Sequence, residues 1–476
     1  MKEKFIIALV SQFMVQIFTL IANYLLVLYL EVELIGIWAL FNSIMNLGFL
    51  FIDIGLTSIH YQYHGKNNID DYFSSFLLLK TFLLIINVCI SLLLITYFEL
   101  WFSPYLDLIL LLLISKIVFS ICNIFIIHLR AKLNVFKAEI PFLMINVGQN
   151  LSKIYISLNI EHIANPLILL SISIVFVDLL IGILILIFYR NDFKIINPRK
   201  SFIYSYLRDT KHLALFSVLT IITTNLGNII LAYSFDVNRL AYFYLVQAYI
   251  ITVFGTISSS LMNIFTPLFS KDIENGKISN VEKVLHLLEK YVSIFLLSTV
   301  IIIFTTGDLI FSVFLPSYIS SLPILYILIL FIYVSEINRG YGIILISGKK
   351  QKISGYLSIF NVSFILILIL ILTPNEFLFF KMLGWGAIGL ALAYLIPNIL
   401  ISIILRLLTK KNFDIKAQKQ IIHHILVAIS SIIIVLIIRI YMVRYLIQNQ
   451  IILILILVFL SLVIFFGELF IFKILK

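Results

Sequence analysis

Apolar residues run along this chain in long blocks, separated at short intervals by clusters of charge, and within the blocks they do not alternate as they would in half-buried strands. A helix crossing about 30 Å of hydrocarbon needs roughly 20 mainly apolar residues, and the chain supplies fourteen such stretches. They run Phe5 to Leu30, Leu34 to Ile59, Phe73 to Tyr97, Tyr105 to Leu129, Glu139 to Ile160 and Asn165 to Tyr189. Six more follow as Leu213 to Phe235, Leu240 to Leu268, Glu289 to Leu315, Ser321 to Ser347, Ile353 to Thr373 and Gly384 to Leu408, and the last two are Ile421 to Leu446 and Ile451 to Ile474. The pattern predicts an all-α, polytopic membrane protein of about 14 transmembrane helices. The longest connection is Arg190 to His212, which leaves no room for a soluble catalytic domain.

Composition sharpens this reading. Hydrophobic residues make up 62% of the 476 and charged residues only 12%, against roughly 45–50% and 25% in an average soluble domain. The 34 Lys and Arg outnumber the 23 Asp and Glu, for a formal charge of +11. Those cations sit between hydrophobic runs rather than on a basic, aromatic-interleaved face, so no nucleic-acid partner is expected. Most of them fall in one alternate set of loops, which the positive-inside rule assigns to the cytoplasm. That set includes Arg130, Lys132 and Lys137, then Arg190, Lys194, Arg199, Lys200, Arg208 and Lys211, then Lys349, Lys350 and Lys352. The opposite loops are acidic, with Glu31, Glu33, Glu99, Asp107, Glu161, Asp236 and Glu376. Both termini are therefore expected on the cytoplasmic side of the cell membrane, with the first block a retained span rather than a signal peptide. Cys89 and Cys122 lie inside apolar blocks and imply no disulfide framework. His423 and His424 are adjacent and face different directions on a helix, so no metal site and no cofactor are expected.

The chain also repeats weakly. The turn Glu31-Val32-Glu33-Leu34-Ile35-Gly36 parallels Asp236-Val237-Asn238-Arg239-Leu240-Ala241, and Arg190-Asn191-Asp192-Phe193-Lys194-Ile195 parallels Lys410-Lys411-Asn412-Phe413-Asp414-Ile415. Six spans per repeat make both halves enter from the same side, related by an axis along the membrane normal. The expected organisation is an N-lobe over 1–200, a C-lobe over 201–416 and two additional helices over 417–476.

At these positions a resemblance to a known family emerges. The acidic turn running into Gly36-Ile37-Trp38, the sequence Asp53-Ile54-Gly55-Leu56, the basic turn Gly348-Lys349-Lys350 and the stretch Gly384-Trp385-Gly386-Ala387-Ile388-Gly389-Leu390-Ala391 resemble the polysaccharide (O-antigen) flippase family. The resemblance implies two six-helix lobes around a central cavity and membership of an exporter superfamily that also contains multidrug exporters and peptidoglycan-lipid flippases. It further implies export of a lipid-linked sugar, with cavity cations holding its phosphates.

Which residues could serve is an inference from depth and spacing. A charge at the bilayer centre costs roughly 2.5–3.5 kcal/mol on insertion scales, so the deep cations Lys80, Lys116, Lys153, Arg339 and Arg439 and the deep acids Asp53, Asp178, Asp308, Glu336 and Glu468 all need an account. Helical spacing gathers polar groups into stripes. Span one aligns Gln12, Gln16, Thr19 and Asn23; span two aligns Asn42, Asn46, Asp53 and Thr57; span four aligns Lys116, Ser120 and Asn123. Span five aligns Asn146, Gln149, Asn150 and Lys153, and span seven Ser217, Thr224 and Asn228. The same amides also serve as hydrogen-bond glue between membrane helices.

The candidate substrate-binding set is Lys116, Lys153, Arg339, Asn146, Gln149, Asn150, Asn123, Gln16 and Asn23, with the cations neutralising phosphate and the amides meeting sugar hydroxyls. Asp53, Asp178 and Glu336 are candidates for ion coupling or charge pairing, with Lys116–Asp178 and Glu336–Arg339 the expected structural pairs. Lys80 and Arg439 are expected to snorkel to a membrane face, and Asp308 and Glu468 to be solvated near span ends. The expected function is a flippase moving a polyprenyl-phosphate- or pyrophosphate-linked oligosaccharide by alternating access, as a monomeric transport unit and alongside polysaccharide-assembly proteins. The alternatives are an ion-coupled multidrug exporter of the same superfamily and a membrane glycosyltransferase or polymerase, which often places an acidic pair such as Glu31 and Glu33 in its first outer loop. No catalytic residue is expected. The orientation predicts that Lys200→Cys reacts with a membrane-impermeant maleimide only from the cytoplasmic side and Glu376→Cys only from outside; the reverse pattern in intact cells would invert the topology.

Overall fold

A computed structural model describes residues 2–63, 69–132, 134–193, 196–348, 350–377, 380–416, 418, 420–445 and 449–471. Among the basic residues named above, Lys194 and Lys349 lie outside the described residues, as does the side chain of Lys211. The chain folds into helices α1 (Lys2–Tyr29), α2 (Val32–Gly48), α3 (Leu56–Gln62), α4 (Ile69–Tyr97), α5 (Leu106–Ala131), α6 (Val135–Leu158), α7 (Pro166–Tyr189) and α8 (Lys200–Ser234). It continues with α9 (Val237–Glu274), α10 (Ile278–Phe314), α11 (Leu322–Ser347), α12 (Gln351–Leu372), α13 (Gly386–Phe413), α14 (Gln420–Tyr445) and α15 (Gln450–Ile471). Glu376–Phe377 and Phe380–Lys381 pair as a two-stranded antiparallel hairpin between α12 and α13. Each of the fourteen expected spans overlaps one long helix. Among the described residues, 11 helices are long and apolar enough to cross a membrane, and the chain is a multi-pass membrane protein.

Three expectations fail locally. The loop predicted over Arg190 to His212 is helical from Lys200 onward, because Phe202, Ile203, Tyr206 and Thr210 recur at helical spacing and face inward, with Tyr206 and Thr210 fully covered. The loop predicted between spans eight and nine is mostly helix too. It turns tightly at Asn275 to Lys277, where Gly276 takes φ +71 and the Lys277 N–H reaches back to the Asp272 carbonyl at 2.8 Å, a helix C-terminus that glycine satisfies without a Cβ clash.

The third is span two. It is not one helix: α2 stops at Gly48, and Phe49 to Gly55 form a non-helical break before α3. Gly55 enters α3 with φ +90, a left-handed conformation that disfavours any side chain.

By contact, the chain divides into two compact units, Met1–Tyr244 and Leu245–Lys476, so that α8 and the first turns of α9 belong to the first. In the first unit α1 lies along α6, α5 packs on α6 and α7, and α2 packs on α4, α5 and α8. The repeat turns meet here. A Cβ at Gly36 would overlap the Val237 carbonyl oxygen, so glycine lets α2 touch the start of α9. At the foot of α3, His60, His128 and Tyr206 are fully buried, with His60 Nδ1 2.6 Å from the Tyr206 hydroxyl and its Nε2 3.1 Å from His128 Nδ1. Phe76 stacks on His60 and Phe73 on His128, closing the cluster with apolar surface.

In the second unit α10 is the hub, with α11, α14 and α15 packed against it and α13 against α11 and α12. Its polar contacts correct two expectations. Arg439 on α14 does not snorkel; it forms a two-pronged ion pair with Asp308 on α10, with Nη1 2.7 Å from Oδ1, and also donates to the Thr305 carbonyl at 2.9 Å. Glu468 on α15 accepts from Ser430 at 2.7 Å and Ser431 at 3.0 Å on α14 rather than turning to solvent. In hydrocarbon such groups are satisfied within the protein, and here they pin the last two helices. Gly36→Ala is expected to lower stability by about 1–3 kcal/mol, the usual cost of forcing atoms into a filled contact, read as earlier thermal unfolding in detergent; an unchanged melt would show that the α2–α9 approach is not tight.

Candidate functional site

The break in span two builds the site. Breaking a membrane helix frees backbone groups that lipid cannot satisfy, and α4 supplies both partners. Asn87 Oδ1 accepts from the Phe51 N–H at 3.0 Å, and Lys80 Nζ donates to the Ile52 carbonyl at 2.9 Å. Lys80 also pairs with Asp53 at 3.2 Å, and Asp53 Oδ1 accepts from the Thr57 N–H at 3.1 Å, capping α3. The Lys80 side chain is 5% exposed. It is a buried structural cation, not the snorkelling one expected from its position two turns from a span end. The pairing was hidden because Asp53 had been placed in a continuous helix.

Beside the break the first unit holds a half-open cavity of about 340 Å³. Phe49 and Ile52 come from the break, Asn46 from α2, Lys80 and Leu84 from α4, Lys116, Phe119, Ser120, Asn123, Ile124 and Ile127 from α5, and Ile221 and Asn225 from α8. Most of the wall is apolar, and three of its polar side chains, Lys116, Asn46 and Asn225, are linked in series. Lys116 Nζ donates to Asn46 Oδ1 at 2.8 Å, Asn46 Nδ2 donates to Asn225 Oδ1 at 3.1 Å, and Asn225 Nδ2 donates to the Ile221 carbonyl at 2.8 Å. This chain of amides fixes which end of Asn46 faces the ammonium. Asn228 adds a second α8-to-α2 bond, to Ser43 Oγ at 3.0 Å.

The expected Lys116–Asp178 pair does not form. Asp178 is fully buried on α7 and accepts from Gln149 Nε2 at 2.7 Å and Ser115 Oγ at 3.1 Å, while Lys116, the next residue along α5, takes the neutral Asn46. Among the described residues Lys116 makes no ion pair. The cavity wall thus holds Lys116, hydrogen-bonded to Asn46 with Asp178 acting on it electrostatically from α7 but not in direct contact, and Lys80, paired with Asp53.

The other candidates are distributed elsewhere. Lys153 on α6 donates to Asn23 Oδ1 on α1 at 3.2 Å, and Asn150 donates to Thr19 Oγ1 at 2.9 Å, so these two stripes face each other as a polar seam. Gln16 lies half-buried on α1, and Asn146 bonds its own helix at the Phe142 carbonyl. Arg339 and Glu336 form the expected pair at 3.0 Å in the second unit. Of the nine substrate-binding candidates, Lys116 and Asn123 line the first-unit cavity.

Asn225 was missed, because it lies off the Ser217, Thr224 and Asn228 stripe. So was Glu289, which had been read as a span end. It is fully buried, accepts from the Tyr341 hydroxyl at 3.0 Å and pairs with Arg406 at 3.2 Å. Arg406 further donates to Asn338 and Ser402. Their only sequence signal was charge of both signs near neighbouring span ends.

The arrangement is that of a multi-pass membrane protein, and comparison with known proteins bears on that fold. No protein-family model matches the chain, and no curated protein matches it in sequence. Among solved structures it is similar to a lipid II flippase, MurJ, in an inward closed conformation, with TM-score 0.74, 17% identity, and 98% of this chain and 99% of that one covered. It is also similar to an inward-facing multidrug resistance MATE family transporter of the MOP superfamily (TM-score 0.55, 14% identity, 83% and 95% covered). A MOP superfamily transporter from Pyrococcus furiosus gives TM-score 0.61 at 13% identity, with 87% and 96% covered. The chain shares the fold of this lipid II flippase and of these MOP superfamily transporters.

Lys80→Met leaves the Ile52 carbonyl and Asp53 without their partner; because Asp53 is 42% exposed and can be solvated, the expected cost is that of the unsatisfied buried carbonyl, about 1–3 kcal/mol. The Lys80→Met/Asp53→Asn double variant is expected to recover part of that loss in thermal melts. Strict additivity of the two single changes would instead show that the groups do not couple.

Proposed function

We propose that this protein is a flippase that carries a polyprenyl-phosphate- or pyrophosphate-linked oligosaccharide across the cytoplasmic membrane for cell-surface polysaccharide synthesis. The observation that carries the proposal is Lys116, a cavity-lining cation that donates to the neutral Asn46 and makes no direct ion pair among the described residues. An ammonium in such a place favours an anionic group, and phosphate oxygens accept from it strongly. The surrounding Asn46, Asn123, Ser120 and Asn225 suit sugar hydroxyls. Headgroup transfer by alternating access, with the lipid tail left in the bilayer, follows the mode of transporters built from repeats.

The same proposal includes lobes over 1–200 and 201–416 with two further helices over 417–476, both termini in the cytoplasm, action as a monomer and contact with polysaccharide-assembly proteins. Lys153 and Arg339 are proposed as accessory cations, and Asp178 and Glu336 as coupling carboxylates. An exporter of organic cations is the second reading, supported by the MATE neighbours; the sign of the open charge in the cavity argues against it, since a cation-binding site needs carboxylates or aromatic faces. Against a polymerase or glycosyltransferase, Glu31 and Glu33 sit at the N-terminus and first turn of α2, where acidic side chains stabilise the helix end.

In proteoliposomes carrying a fluorescent polyprenyl-pyrophosphate oligosaccharide, Lys116→Ala is expected to reduce translocation at least tenfold, and Arg339→Ala to reduce it less, at unchanged protein abundance. Full transport with both residues replaced would overturn the cationic-site reading, and efflux of an organic cation in its place would favour the exporter.

A further inference from the structure

The buried cluster at the foot of α3 takes no part in the site described above, yet it ties together elements that build it. His60 stands on α3, the helix that follows the break from which Phe49 and Ile52 line the cavity. His128 stands on α5, next to Ile127 of the cavity wall, and Tyr206 on α8, which carries Ile221 and Asn225. All three side chains are 0% exposed. Phe76 and Phe73 of α4 stack on His60 and His128 with ring centroids 4.1 Å apart. Both nitrogens of His60 are engaged, Nδ1 with the Tyr206 hydroxyl at 2.6 Å and Nε2 with His128 Nδ1 at 3.1 Å.

A neutral imidazole offers one N–H and one lone pair, and this geometry uses each once. A charged His60 donates from both nitrogens. Its Nδ1–H then points at the phenol oxygen, and the Tyr206 O–H loses its acceptor; among the described residues that hydroxyl has no other partner. The apolar surroundings also disfavour the charge. Lys80 of α4, itself paired with Asp53, acts on His60 with the same sign as the added proton. The other charged groups nearby already have partners. Arg130 of α5 pairs with Glu139 of α6, Arg208 with Asp209 on α8, and Asp192, next to Phe193, with Lys137. Asp209 also accepts from Tyr63 of α3 at 2.9 Å, while Tyr61 of α3 bonds Arg130 and Tyr72 of α4 packs on Tyr206. Burial, with His128 and Lys80 beside it, lowers His60 to about 3.

We infer that His60, His128 and Tyr206 form a proton-operated clamp: in the neutral state they hold the broken span against α5 and α8, and a proton on His60 releases it, so that acidity at this end of the bundle loosens the wall of the cavity. His60 resists charge while clamped and regains the ordinary imidazole pKa of about 6.5 once released. The clamped form is therefore fully favoured above that pH and loses ground as pH falls below it. One such imidazole multiplies the released population about tenfold between pH 7.5 and pH 5.5. The clamp does not depend on which cargo the cavity takes.

The test is hydrogen–deuterium exchange of the purified full-length protein in detergent at pH 7.5, 6.5 and 5.5, corrected for the intrinsic pH dependence of exchange. Local release of a segment is what such exchange reads. In the wild type, exchange across residues 49–62 is expected to rise about tenfold from pH 7.5 to pH 5.5 relative to residues 324–345 of α11. His60→Gln keeps a donor and an acceptor but takes no proton, and should flatten that rise. Tyr206→Phe removes one arm of the clamp and should raise exchange already at pH 7.5. Thermal melts establish that each variant is folded, and if His60→Gln is not, His60→Asn takes its place. A wild-type ratio that stays within twofold across the three pH values overturns the inference, as does a tenfold rise that persists when His60 is replaced.

Discussion

The constraint on which the rest depends is that hydrocarbon satisfies no polar group, so every freed carbonyl, amide and charge in this bundle needs a partner inside the protein. Nowhere does that matter more than at the break between α2 and α3. Seven residues, Phe49 to Gly55, leave helical geometry there. Lys80 and Asn87, both on α4, meet the backbone groups this exposes. Once Lys80 is committed to that task it needs a counter-ion, and Asp53 in the break supplies it while capping the next helix. One backbone defect thereby fixes two charges and shapes one wall of the cavity.

The same rule sorts the remaining buried charges. Arg439 with Asp308 and Arg406 with Glu289 each join helices of the second unit, and Arg339 with Glu336 closes on its own helix. Such pairs are weak evidence for stability, since desolvation offsets most of the attraction, and breaking one is far more damaging than never having it. Their presence identifies Lys116 by contrast. It is directed by an amide chain anchored on α8, and an amide relieves an ammonium far less than a carboxylate does.

Much of this was legible in the sequence where the signal is one-dimensional. Apolar blocks of membrane-spanning length gave the helices, because a span must be apolar over its whole length whatever it packs against. Lys116 and Asn123 stood on one stripe, and both line the cavity. Pairings across helices were less visible. Lys153 shares a stripe with Asn146, Gln149 and Asn150, yet the structure turns part of that stripe to α1 and part to Asp178. The helical extensions at Lys200 and Ile278 were missed because polar helix ends beyond the hydrocarbon carry no hydropathy signal.

The sequence by itself determined the class of fold, the number of long helices and the short supply of charge at depth, since each follows from the thickness and low polarity of the bilayer. Tertiary structure alone decided which charges cancel. Asp53 and Lys80 are 27 residues apart and Lys116 and Asn46 are 70 apart, and whether a buried ion meets a carboxylate or an amide depends on the rotation and register of neighbouring helices. Helical periodicity puts a residue on a face; only packing says what stands opposite. The neighbours of Lys116 likewise had to be seen in three dimensions.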